Sequence, residues 1–178
     1  LHALLSPAAA ILSSGSDTWS MALAQVGHGD ITQPVGVATV QAQQNRVTYN
    51  YGALSQWFVN GPAGLEQGFT LSQDPVGSDG TAPLLVDIRL GGSVHATANA
   101  AGDALTLSRS DGSTLWTYSG LQVFDASGRS LPTRLAVHSS SGHDDLVIQV
   151  DDVNYRRLKA TACPCTTQRR DPHAVPRL

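Results

Sequence analysis

From Thr18 onward, apolar residues fall into short runs that alternate with polar ones or stand together, separated by Gly, Asp, Asn and Pro. Trp19, Met21 and Leu23 alternate with Ser20, Ala22 and Ala24. Val47, Tyr49 and Tyr51 alternate with Arg46, Thr48 and Asn50. Leu84, Val86, Ile88 and Leu90 alternate with Leu85, Asp87 and Arg89. A period of two puts successive side chains on opposite faces of a strand, so these segments predict strands with one face buried. Further strands are predicted over residues 105–108, 114–118, 121–124, 134–138 and 146–151. Ser110-Asp111-Gly112-Ser113 and Asp125-Ala126-Ser127-Gly128 read as hairpin turns, because Gly tolerates positive φ and Asp bonds its own backbone. Residues 73–82, with Asp74-Pro75, Gly77 and Asp79-Gly80, form the most loop-like stretch of the body and are expected to divide two sheets or two halves of the sandwich. No segment keeps a helical period for a dozen residues, and no repeat at solenoid or propeller spacing is visible.

Composition sharpens this to an all-β chain. Hydrophobic residues are 41% of the 178 and charged ones 14%, enough apolar side chain for one ordinary core and too little charge for a disordered chain. Residues 1–155 contain one glutamate, Glu66, and no lysine, so the usual surface-helix residues are missing. They hold 13 of the 14 acidic and 5 of the 11 basic residues, a balance of −8, whereas the remaining residues carry +5. An acidic body excludes nucleic acid as its expected partner, since phosphate binding needs a basic face. The opening stretch with Leu4, Leu5, Ile11 and Leu12 is too short to cross a bilayer; it reads as a loop and strand, the alternative being a signal-peptide remnant without its basic end.

Candidate chemistry is sparse. No Gly-x-Ser-x-Gly elbow occurs, and Ser93 with His95 in Gly91-Gly92-Ser93-Val94-His95 reads as ordinary surface more readily than as a nucleophile and base. Paired carboxylates for glycoside hydrolysis are not announced either, with Glu66 alone among glutamates and the aspartates mostly in turns. Asp87 and Arg89 share a strand face and read as an exposed ion pair. The weak calcium candidates are Asp144, Asp145, Asp151 and Asp152, which flank one predicted strand, but without an Asp-x-Asp-x-Asp-Gly loop. Cys163, Cys165 and His173 are a zinc set on paper only, because the spacing is Cys-x-Cys and no second pair follows. No catalytic residue, cofactor or metal is therefore expected. Trp57 and Trp116 are the candidates for stacking a glycan, although core packing is the commoner use of such rings. Trp57 and Phe58 are consecutive, so they face opposite ways in a strand.

Three stretches carry a resemblance. Leu54-Ser55-Gln56-Trp57-Phe58-Val59-Asn60-Gly61-Pro62-Ala63-Gly64-Leu65-Glu66-Gln67-Gly68-Phe69-Thr70-Leu71 resembles a segment of large bacterial extracellular proteins in which a β-sandwich region precedes FG-GAP repeats, the integrin-α-like units of a β-propeller. Tyr118 to Pro132 is similar to its Y-x-G-L-x-V-x-D-x-x-G-R-x-L-P part, and Ile148 to Tyr155 to its closing V-D-D-x-x-Y strand. The likeness spans roughly residues 18–155. It implies a secreted or cell-surface location, a role in assembly, adhesion or support of the following propeller, and no catalytic residues. Where that family continues Tyr-Pro-Leu-Thr, Tyr155 is followed here by Arg-Arg-Leu-Lys.

The expected organisation is an N-terminal extension over 1–15, an antiparallel β-sandwich over 16–155 and a disordered basic, Cys-containing tail over 156–178. The abrupt gain of Arg and Cys after Tyr155 suggests a shifted reading frame or a truncated gene model, the alternative being a genuine basic tail. The expected function is a non-catalytic structural or adhesion module. Its expected partners are other domains of a longer chain, a surface protein or a glycan. A carbohydrate-binding module is the alternative and a hydrolase the third reading.

Overall fold

The computed structural model describes residues 2–62, 64–77, 80–140, 143–152, 161–162 and 165–168, the last two pieces as backbone. All described elements are strands, and every pairing between them is antiparallel.

One sheet is built from β1 (His2–Leu5), β2 (Ala10–Ser14), β3 (Asp17–His28), β4 (Ile31–Pro34), β9 (Leu84–Gly92), β15 (Thr133–Ser140) and β16 (His143–Val150). Its order is β1-β2-β3-β9-β16-β15, with β4 folding back on the far end of β3. The second sheet holds β5 (Thr39–Gln43), β6 (Arg46–Asn50), β7 (Leu54–Gly61), β8 (Gly64–Leu71), β10 (His95–Ala98), β11 (Ala104–Ser108), β12 (Thr114–Ser119), β13 (Val123–Phe124), β14 (Ser130–Leu131), β17 (Thr161–Ala162) and β18 (Cys165–Gln168). Here β5 to β8 form a meander, and β10 to β12 form another.

The alternation read in the sequence is what the two sheets bury. Trp19, Met21 and Leu23 of β3 and Leu84, Val86, Ile88 and Leu90 of β9 all point into the interior. One hydrophobic cluster runs from these residues through Leu105, Leu107, Trp116 and Tyr118 of the second sheet, so the two sheets share a core in a sandwich-like arrangement. Trp19 meets Tyr118 edge to face across it, with ring centroids 5.9 Å apart. The loop after β8 crosses from the second sheet to the first, as its turn-rich composition predicts.

One boundary differs from expectation. Residues 2–14 are not an extension: β1 and β2 form a hairpin on β3, and Ala10 and Leu12 are buried in the common core. The disorder expected of the tail lies mostly outside the described residues, and the two described pieces pair with β8, β12 and β13.

The predicted turns form for the predicted reason. Gly112 and Gly128 adopt φ of 82° and 84°, and Asp125 Oδ1 accepts the backbone N–H of both Ser127 and Arg129. The Ser127 hydroxyl first, then the Arg129 and Ser127 backbone donors and the Arg129 side chain, hold the Asp125 carboxyl down to about 2.

Candidate functional site

An open cleft of about 480 Å³ lies at the end of the sandwich where β9, β10 and β16 meet, and Gly91, Gly92, Val94, His95, His143 and Asp144 help line it. Two glycines form part of its wall because β9 runs hard against β3 there. A Cβ on Gly92 would sit 2.3 Å from the Thr18 carbonyl oxygen, and φ at Gly92 is +107°.

The polar groups around the cleft are largely committed to one another. His143 Nε2 lies 3.2 Å from Asp145 Oδ2, and Arg89 Nε–H donates to Asp145 Oδ1 at 3.3 Å. The Ser139 hydroxyl donates to Asp144 Oδ1 at 2.6 Å. Ser93 Oγ accepts the Thr18 N–H at 3.0 Å, which turns that hydroxyl to the β3 backbone. The exposed His95 and the half-buried His143 give the cleft a polar wall, and among the described residues no aligned nucleophile stands beside them.

Arg89 corrects an expectation: its partner is Asp145, the residue directly opposite in the β9–β16 register, and not Asp87. Asp87 is left with a buried Oδ1 that has no partner. Burial first, and then the Asp145 charge, push its carboxyl above the usual aspartate value, with His138 opposing. A raised folded pKa means that stability is lost as pH rises through it. Asp87→Asn is accordingly expected to raise the unfolding midpoint at pH 7 and to leave it unchanged near pH 3. Melts at the two pH values check this, and an equal shift at both would contradict the electrostatic cause.

The calcium candidates do not come together. Asp144 and Asp145 stand at the start of β16 while Asp151 and Asp152 follow its end. At about 3.3 Å per residue the two pairs are roughly 20 Å apart. Among the described residues no group of three or more His, Cys, Asp or Glu side chains is placed to hold a metal. The Cys163, Cys165 and His173 set lies outside the residues whose side chains are described, as does the basic run after Tyr155.

Asp152 has another task. Its Oδ2 lies 2.9 Å from His28 Nε2 and its Oδ1 accepts the Leu84 N–H at 3.0 Å, with both side chains buried. His28 Nδ1 faces the Val76 carbonyl oxygen at 3.3 Å, and the His28 backbone N–H donates to the same oxygen at 3.1 Å. One carboxylate thus joins the end of β3, the start of β9 and the segment after β16, and the ring ties down the long loop.

Both tryptophans offered for glycan stacking are covered. Trp116 is fully buried in the core. Trp57 does point to the outer face, opposite Gly68 in the β7–β8 register, while Phe58 points inward as consecutive residues must. Its ring lies flat over Gly68, where a Cβ would fall 2.1 Å from Cζ2, and the Arg46 guanidinium stacks 4.4 Å from the ring centroid. Only 8% of Trp57 is exposed, so neither face is free for a sugar.

The fold and site define an all-β, sandwich-like protein with a polar cleft at one end. Among the described residues no helix is long and apolar enough to cross a membrane. No protein-family model, curated protein or solved structure matches the chain.

Proposed function

We propose that this chain is a non-catalytic structural or adhesion module of a secreted or cell-surface bacterial protein, standing ahead of β-propeller repeats. The observation that carries this reading is the fate of His28 and Asp152. A buried imidazole–carboxylate pair is the arrangement most able to do acid–base work, yet here it sits inside the sheet and holds backbone groups. The surface cleft, with His95 and His143 on an open polar wall, suits binding of a polar group on another domain or a surface protein. The resemblance of residues 54–71, 118–132 and 148–155 to the region before FG-GAP repeats supplies the extracellular setting. The covered rings of Trp57 and Trp116 leave the glycan reading without a platform.

Antibodies raised against the sandwich test this on cells of the source organism. Labelling of intact cells, or recovery of the protein from culture fluid, is the expected result. Signal confined to lysed cells overturns the proposal.

A further inference from the structure

The residues on either side of β17 and β18 form a channel with an unusual geometry. β18 pairs antiparallel with β8 through Leu65, Glu66 and Gln67, and antiparallel with β12 through Thr117, Tyr118 and Ser119. β17 continues along the same edge of β8 at Thr70 and pairs with β13 on its other side. β8 and β12 therefore run parallel to each other with one strand between them. Two inter-strand spacings amount to about 9.5 Å, too far for β8 and β12 to bond each other directly. Without an inserted strand, both would present open edges.

The body spans this gap by itself. The Tyr118 hydroxyl on β12 donates to Gln67 Oε1 on β8 at 3.1 Å, and both side chains are at least 98% buried. This bond lies on the core side of the sheet and joins the two edges whatever strand lies between them. Gln67 Nε2 is buried and has no hydrogen-bond partner. Directly opposite residues in a ladder share a face, so the residue facing Gln67 is the one best placed to receive that N–H. In this chain the register position belongs to Cys165, and a thiol is a weak acceptor.

We propose that the channel between β8 and β12–β13 is a strand-acceptor site, selective for an extended peptide that carries a hydrogen-bond acceptor such as Asn, Ser or Thr opposite Gln67. The peptide runs antiparallel to both neighbours. Main-chain bonds on two sides supply affinity, and the buried Gln67 amide supplies selectivity. The chain's own β17 and β18 occupy the channel in cis, and a strand with a better acceptor competes with them. The inference rests on the facing edges of β8 and β12 and on Gln67, which belong to the sandwich itself, so it depends neither on a cell-surface location nor on the frame that follows Tyr155.

The test is a titration, read by fluorescence anisotropy, of the full chain and its Thr167→Pro variant. The labelled octapeptide copies residues 161–168 with Cys163→Ser and either Cys165→Asn or Cys165→Ala. Proline at 167 removes a ladder donor and weakens the strand in cis. The variant is expected to bind the Asn peptide at least about tenfold more tightly than the wild-type chain, whose own strand competes at high effective concentration. The Ala peptide is expected to bind roughly fivefold more weakly than the Asn peptide, and Gln67→Leu should abolish that difference. If the proline variant does not fold, the wild-type chain with excess peptide gives the same Asn-against-Ala comparison. No saturable binding to either protein, or equal binding of the two peptides, overturns the proposal.

Discussion

Asp152→Ala is expected to lower the unfolding free energy by about 3 kcal/mol, because it strands two buried donors at once. The Leu84 N–H loses Oδ1 and the His28 ring loses Oδ2, and neither lies where water can replace the carboxylate. For a chain of this size that corresponds to a fall in midpoint of roughly 6–12 °C, measured by calorimetry. Asp152→Asn is the informative companion. Its carbonyl oxygen still accepts from Leu84, and with the ring proton on Nδ1 toward Val76 the His28 Nε2 accepts from the new amide. The loss should therefore be clearly smaller for Asn than for Ala. Equal losses would mean that the carboxylate's charge, and not its hydrogen-bond geometry, holds the three segments together.

Gly68→Ala is expected to cost about 2 kcal/mol, a large effect for one methyl group on the solvent side of a sheet. The added Cβ falls within 2.1–2.6 Å of three Trp57 ring atoms, and the ring cannot lift freely with Arg46 stacked on its outer side. Removing the ring should remove the penalty. Trp57→Ala alone loses the cross-strand cover, but the double variant should be at least about 1 kcal/mol more stable than the two single losses predict. Urea denaturation of the four proteins gives that coupling, and strict additivity would contradict the flat-ring geometry. The pair also gives a physical reason for the Trp-Phe and Glu-Gln-Gly-Phe parts of the first motif: the glycine is the bed on which the tryptophan lies.

How far the pattern along the chain could be read depended on what each face carries. β9 was legible because Leu84, Val86, Ile88 and Leu90 fill one face without exception. β3 was legible at its first half for the same reason. The β7–β8 hairpin inverts the usual code, since Gln56 and Gln67 point into the core and Trp57 points out. Hydrophobicity alone therefore marks it poorly, and its motif was more informative than its period. The β1–β2 hairpin was hidden because β1 is largely exposed and only Ala10 and Leu12 of β2 reach the core.

The site was less legible than the fold. Asp152 stood out as part of the Val150-Asp151-Asp152 motif, yet its partner His28 lies 124 residues earlier and only the closed sheet brings them together. No local spacing could have signalled that. The consecutive Trp57 and Phe58 did predict opposite faces, but the cover over Trp57 comes from Arg46 on the neighbouring strand. His95 was visible in its glycine-rich context, whereas its proximity to His143 in one cleft follows from the meeting of β9, β10 and β16.

The proposed place of this sandwich at the head of a longer surface protein meets its most direct test in the gene. Sequencing across the Tyr155 codon and translating several hundred bases downstream in all three frames is predicted to reveal a frame that continues Tyr-Pro-Leu-Thr into Gly- and Asp-rich repeats. Confirmation of the present frame, with a stop directly after Leu178 and no repeats in any frame, would contradict it.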